Sequence, residues 1–81
     1  MSARDKLNQA FRNAFELSIE EDVTLMAYRQ HPRWDSVRHM KLIAQLESVF
    51  NIMLDTDDII DMSSYQEAER IVAKYGVGLD A

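Results

Sequence analysis

Trp34-Asp35-Ser36-Val37-Arg38-His39-Met40-Lys41-Leu42-Ile43-Ala44-Gln45-Leu46-Glu47-Ser48-Val49-Phe50 is the stretch whose reading decides the fold. His39, Leu42, Ile43, Leu46, Val49 and Phe50 recur at three- and four-residue steps, so they form one apolar stripe on a helix predicted from about Ser36 to Asn51. Val37, Met40 and Ala44 lie on a different face, offset from that stripe. Asp35 stands where a helix wants an N-cap. Upstream, Pro32 disfavours a helical conformation at His31, so a turn separates this helix from what precedes it.

The neighbouring segments repeat the pattern. Leu7, Ala10, Phe11, Ala14 and Phe15 give a first helix over about Ala3–Leu17, with Ser2 as N-cap and Asp5 three residues on. Ser18 and Glu21 have capping-box spacing, which predicts a helical turn over Glu20–Met26 with Val23 or Leu25 and Met26 inward. A short helix is predicted over about Asp55–Met62, with Ile59, Ile60 and Met62 as its apolar residues. Ser64 and Glu67 repeat the capping-box spacing and open a last helix that turns Ala68, Ile71, Val72 and Tyr75 inward. Lys74 suits the negative end of that helix, and Gly76 suits its stop. The expected fold is all-α: a small four-helix bundle of three longer helices and a short third one, with a long first loop. It forms a single domain over residues 1–81, with a core over about 3–75 and a frayed tail at 76–81.

Composition narrows the functions open to such a chain. Eighty-one residues make one domain with a stability of ~4–12 kcal/mol at the usual per-residue figure. Two glycines and one proline are too few for the tight turns of an all-β fold. No apolar run approaches a membrane span, and Met1–Asp5 lacks the apolar segment of a signal peptide. With no cysteine, disulfides and thiolate metal sites are excluded, and any thioester role requires an added thiol. A net charge of −5 disfavours nucleic-acid binding and suits docking to basic protein surfaces. A cytoplasmic monomer is expected.

Ser36 is the residue on which chemistry converges. It sits at a helix mouth, where unpaired N–H groups and the positive end of the macrodipole favour a phosphate. Asp35-Ser36-Val37 resembles the Asp-Ser-Leu attachment motif of the acyl and peptidyl carrier proteins, and Trp34 and His39 match a Trp-Asp-Ser-x-x-His form within that family. The resemblance continues through Leu42-Ile43, Leu46-Glu47, Phe50 and Leu54–Ile60, and covers the chain from about Leu7 to Tyr75. It implies an acyl-carrier-protein-like bundle. It also implies a 4′-phosphopantetheine arm on Ser36, donated from coenzyme A by a phosphopantetheinyl transferase, and an acyl or aminoacyl thioester on that arm. Further partners implied are a loading enzyme and a downstream synthase or transferase. The chain would be a carrier and not an enzyme. An unmodified helical interaction module and a helix-turn-helix regulator using Arg38 and Lys41 stand as alternatives.

The other residues follow from the same reading. Asp35 caps the helix and, by the resemblance, contacts the modifying enzyme. Trp34 is expected as an anchor that closes the long loop, with His39 bordering the core or touching the arm. A Ser36–His39–Asp35 triad is rejected, because Asp35 is poorly placed to orient His39 and a small bundle has no room for an oxyanion hole and cleft. His31 with His39 matches no usual metal-ligand spacing. The expected partner face comprises Val37, Arg38, Met40, Lys41, Ala44 and Glu47, with Asp55, Asp57 and Asp58 beyond it. Arg38 and Lys41 stand where acids are frequent in the family. That departure favours a dedicated pathway with its own matched partners.

Overall fold

A computed structural model describes residues 2–28 and 33–79. The expectations placed on His31 and Pro32 lie outside these residues. Four α-helices and one 3₁₀ turn are present among the described residues: α1 (Ala3–Phe15), the 3₁₀ turn Val23–Leu25, α2 (Ser36–Phe50), α3 (Thr56–Asp61) and α4 (Tyr65–Lys74). This is the small four-helix fold that the apolar spacing predicts.

Local chemistry explains the helix boundaries. Ser2 and Asp5 form a reciprocal capping box at the start of α1. Glu16 then turns left-handed (φ 56°), and the Leu17 N–H returns to the Arg12 carbonyl at 3.0 Å, so α1 stops two residues before the predicted Leu17. Asn51 does the same for α2 at φ 52°, with the Ile52 N–H donating to the Glu47 carbonyl at 3.1 Å. Ser64 caps α4 by accepting from the Glu67 N–H at 3.1 Å. In the long connection only half of the Ser18–Glu21 box forms, with the Ser18 N–H donating to Glu21 Oε2 at 2.9 Å. Asp22 caps the 3₁₀ turn, which buries Val23 and Met26 and leaves Leu25 77% exposed.

One core joins these elements. It is built from Leu7, Ala10, Phe11, Ala14 and Phe15 of α1, Leu42, Ile43 and Leu46 of α2, and Ala68, Ile71 and Val72 of α4. Tyr65 is also buried. Phe11 is the hub of an aromatic cluster, with ring centroids 5.9 Å from Phe15, 5.8 Å from Trp34 and 5.2 Å from Tyr65. The long connection is stitched to the segment entering α4 by two backbone bonds, from the Tyr28 N–H to the Ser63 carbonyl (2.8 Å) and from the Tyr65 N–H to the Met26 carbonyl (3.0 Å). His39, Val49 and Phe50 lie at the stripe's edge and are only half-buried. Gly76 takes φ +89° after α4, where a side chain would be strained. Beyond it Val77 and Leu79 pack on the core, so the ordered chain extends past the predicted boundary at Tyr75.

α3 is held differently from the other helices. It has six residues and its N-cap Asp55 makes no side-chain cap bond. Asp58, grouped by the sequence with a solvated acidic partner face, is buried at 6% exposure. Lys74 Nζ and Tyr75 Oη donate to the Asp58 carboxylate at 2.6 and 2.5 Å, clasping α3 to the end of α4. The same two donors, Lys74 foremost, hold the Asp58 carboxyl below the ordinary carboxylate range. The Asp55 N–H completes the clasp by donating to Tyr75 Oη at 3.0 Å.

Candidate functional site around Ser36

Ser36 is the first residue of α2 and is exposed. Its hydroxyl makes no hydrogen bond among the described residues. Asp35, not Ser36, closes the helix mouth, since Asp35 Oδ1 accepts from the Arg38 N–H at 2.8 Å. The N–H groups of Ser36 and Val37 have no intrahelical acceptor, so the serine stands at the positive end of a 15-residue helix.

Beside Ser36 lies an open groove of about 390 Å³ lined by Tyr28, Ser36, His39, Met40, Ile59 and Ile60. α2 supplies one wall and α3 the other. Tyr28, Ile59 and Ile60 were not singled out as site residues from the sequence. Tyr28 sits in a connection without periodicity, and the two isoleucines read only as apolar residues of a short helix. Ile60 is 71% exposed and lines the groove with the 53% exposed Met40, and Val37, next to Ser36 in the chain, is 66% exposed. Ala44 and Lys41 are exposed on the same helix, as its apolar spacing requires.

Trp34 is placed as an anchor of the long connection, and His39 lies on the border between core and groove. Trp34 is 3% exposed and does not line the groove. Its ring packs on Phe15 (4.8 Å) and edge-on against Tyr28 (6.3 Å), and its Nε1–H donates to His39 Nδ1 at 3.0 Å. His39 does line the groove, but its Nε2 is 2.7 Å from the Ile59 carbonyl. Both ring nitrogens are therefore engaged away from Ser36, so His39 cannot serve as its base. The rejected triad fails on this geometry as well.

The charged residues of the expected partner face also divide. Arg38 bridges Glu16 Oε2 (3.2 Å) and Asp35 Oδ2 (3.3 Å), tying the start of α2 to the end of α1. The half-buried Glu47 uses Oε2 to accept from the Leu54 N–H at 2.9 Å, which shapes the loop after α2. Lys41 makes no ion pair among the described residues, and Asp55 and Asp57 are exposed. The free part of that face is thus Val37, Met40, Lys41 and Ala44, with Asp55 and Asp57 nearby in the chain. Among the described residues no helix is long and apolar enough to cross a membrane.

Comparison with known proteins gives no match to a family model, to a curated protein or to a solved structure.

Proposed function

We propose that this chain is a carrier protein that takes a 4′-phosphopantetheine arm on Ser36 and presents a thioester-bound cargo to separate enzymes. The observation that carries this reading is the Ser36 hydroxyl, exposed and unbonded at a helix N-terminus and on the lip of an apolar groove. In the modification, Ser36 Oγ forms a bond to the inner phosphorus of the coenzyme A pyrophosphate. The bridging P–O bond breaks, adenosine 3′,5′-bisphosphate leaves, and the serine proton passes to a base of the transferase. The transferase supplies the cations that such a transfer needs. The arm brings the thiol that a chain without cysteine lacks.

The groove favours an acyl cargo over an aminoacyl one. Met40, Ile59 and Ile60 offer apolar surface, and among the described residues no Asp or Glu lines the groove to pair with an ammonium group. Exposed Val37 and Met40 beside the serine suit docking to partner enzymes, methionine being adaptable to several surfaces. The same patch also fits an unmodified interaction module. The helix-turn-helix alternative loses support, because Arg38 is occupied by Glu16 and Asp35.

Intact mass after incubation with coenzyme A and a broad-specificity phosphopantetheinyl transferase tests the proposal. The wild type gains one arm. Ser36→Ala gains none and melts at an unchanged temperature, because Asp35 still caps α2. A wild type that remains unmodified overturns the carrier reading in favour of the interaction module.

A further inference from the structure

We propose that His39 is a positioning residue that fixes the α3 wall of the groove, and that it does so as the neutral Nε2–H tautomer. The inference rests on the carrier reading for its functional consequence, but its geometry stands without it. Each step follows from the donor and acceptor inventory. Trp34 Nε1–H is a donor only, so His39 Nδ1, 3.0 Å away, must accept. Nδ1 is then unprotonated and Nε2 carries the ring proton. The Ile59 carbonyl is an acceptor only, and at 2.7 Å it receives that proton. The relay runs in one direction, from the indole through the imidazole to the carbonyl.

The carbonyl it reaches is one that α3 cannot satisfy itself. The last four carbonyls of a helix lack intrahelical donors, and in a helix ending at Asp61 the Ile59 carbonyl is among them. His39 therefore caps the end of α3 from α2, across the groove that Ser36 borders. The indole end of the relay is rooted in the aromatic cluster of Phe11 and Phe15. The core thus sets the position of the imidazole, and the imidazole sets the position of Ile59, a groove-lining residue.

The roles of the two nitrogens are separable by substitution. An asparagine amide overlays Nδ1, and a glutamine amide overlays Nε2. His39→Leu removes both bonds, His39→Asn keeps an acceptor for Trp34, and His39→Gln keeps a donor for Ile59. In the wild type, long-range ¹H–¹⁵N correlation shows a single neutral tautomer with the proton on Nε2. Hydrogen exchange of the Trp34 Nε1–H accelerates at least tenfold in His39→Leu and is restored towards wild type in His39→Asn. Exchange of the amides at the end of α3 accelerates in His39→Leu and is restored in His39→Gln. With octanoyl-pantetheine loaded from octanoyl coenzyme A, the thioester reacts with hydroxylamine several-fold faster in His39→Leu than in wild type. Glutamine restores the slow rate and asparagine does not.

A proton on Nδ1, or an indole exchange rate equal in wild type and His39→Leu, overturns the relay. Equal hydroxylamine rates in wild type and His39→Leu overturn the positioning role. Failure of the wild type to accept any arm overturns the carrier reading instead, and leaves the exchange and tautomer measurements to decide the relay. If His39→Leu does not fold, the opposite rescue patterns of asparagine and glutamine are compared with wild type alone, and identical behaviour of the two overturns the proposal.

Discussion

Replacing Trp34 by phenylalanine tests whether the long connection is anchored as described. The indole is 3% exposed and contacts Phe11, Phe15, Tyr28 and His39. Phenylalanine retains an aromatic ring but loses two things. The first is volume, leaving a void of up to roughly 40 Å³ that costs about 1 kcal/mol at the usual price per unit volume. The second is the Nε1–H, which leaves His39 Nδ1 without its donor; an unsatisfied buried polar group costs ~1–3 kcal/mol. Together these give a destabilisation of ~2–4 kcal/mol. That is a large share of the ~4–12 kcal/mol available to a chain this size. Trp34 is the only tryptophan, so urea unfolding is followed by far-ultraviolet circular dichroism, and the midpoint should fall by about 1–3 M at the slope usual for a small domain. A Trp34→Phe midpoint within about 0.3 M of wild type at unchanged slope would refute the anchoring role and the hydrogen bond with it.

Three further outcomes are expected. Leu46→Ala, at a fully buried position on α2, should cost ~2–5 kcal/mol in denaturant unfolding, and an unchanged midpoint would show that the core face of α2 is misassigned. Arg38→Glu should lower stability by about 1 kcal/mol, since it turns two ion pairs into repulsions, whereas exposed Lys41→Glu should change it by less than about 0.5 kcal/mol; equal effects would mean the Arg38 bridges contribute nothing. The Asp58 carboxyl has its pKa depressed on folding, so it contributes stability above the unfolded value of 3.8 and loses it as pH falls through the folded value. Asp58→Asn should therefore be less stable than wild type at pH 7, with the gap closing below about pH 4; a gap of constant size from pH 7 to pH 3 contradicts the clasp.

Most of the fold was legible because it depends on local periodicity and capping. The α1 stripe, the Ser2–Asp5 box, the Ser64 cap and the Leu42–Ile43–Leu46 face all follow from residues three or four apart. The two left-handed stops at Glu16 and Asn51 carry no glycine signal, and α1 ends two residues before the Leu17 that periodicity alone suggests. At the site, the exposure of Ser36 and the capping by Asp35 were legible for the same local reason. Contacts between distant segments were not. Nothing in the spacing of Asp55, Asp57 and Asp58 marks the one that turns inward, because its partners lie 16 and 17 residues away. Likewise the sequence places Trp34 and His39 on either side of Ser36, but neither their hydrogen bond nor the bond from His39 to a carbonyl 20 residues downstream is visible in it.

These non-local bonds concentrate on α3, and that has a consequence for the groove. A six-residue helix is far below the length at which a helix sustains itself in water. α3 keeps its shape through two adjacent residues that face opposite neighbours: Asp58 toward Lys74 and Tyr75 of the α4 end, and Ile59 toward His39 of α2. The groove therefore has one wall that is a long, capped helix and one that depends on tertiary polar bonds. A cargo that buries itself against Ile59 adds contacts to the weaker wall, whereas the α2 wall of Ser36 and Met40 is already fixed by its Asp35 cap. By mass action such a ligand stabilises the state it binds. On the proposed carrier reading, an acyl chain in the groove should slow exchange at α3 more than at the α2 N-terminus, which Asp35 already caps.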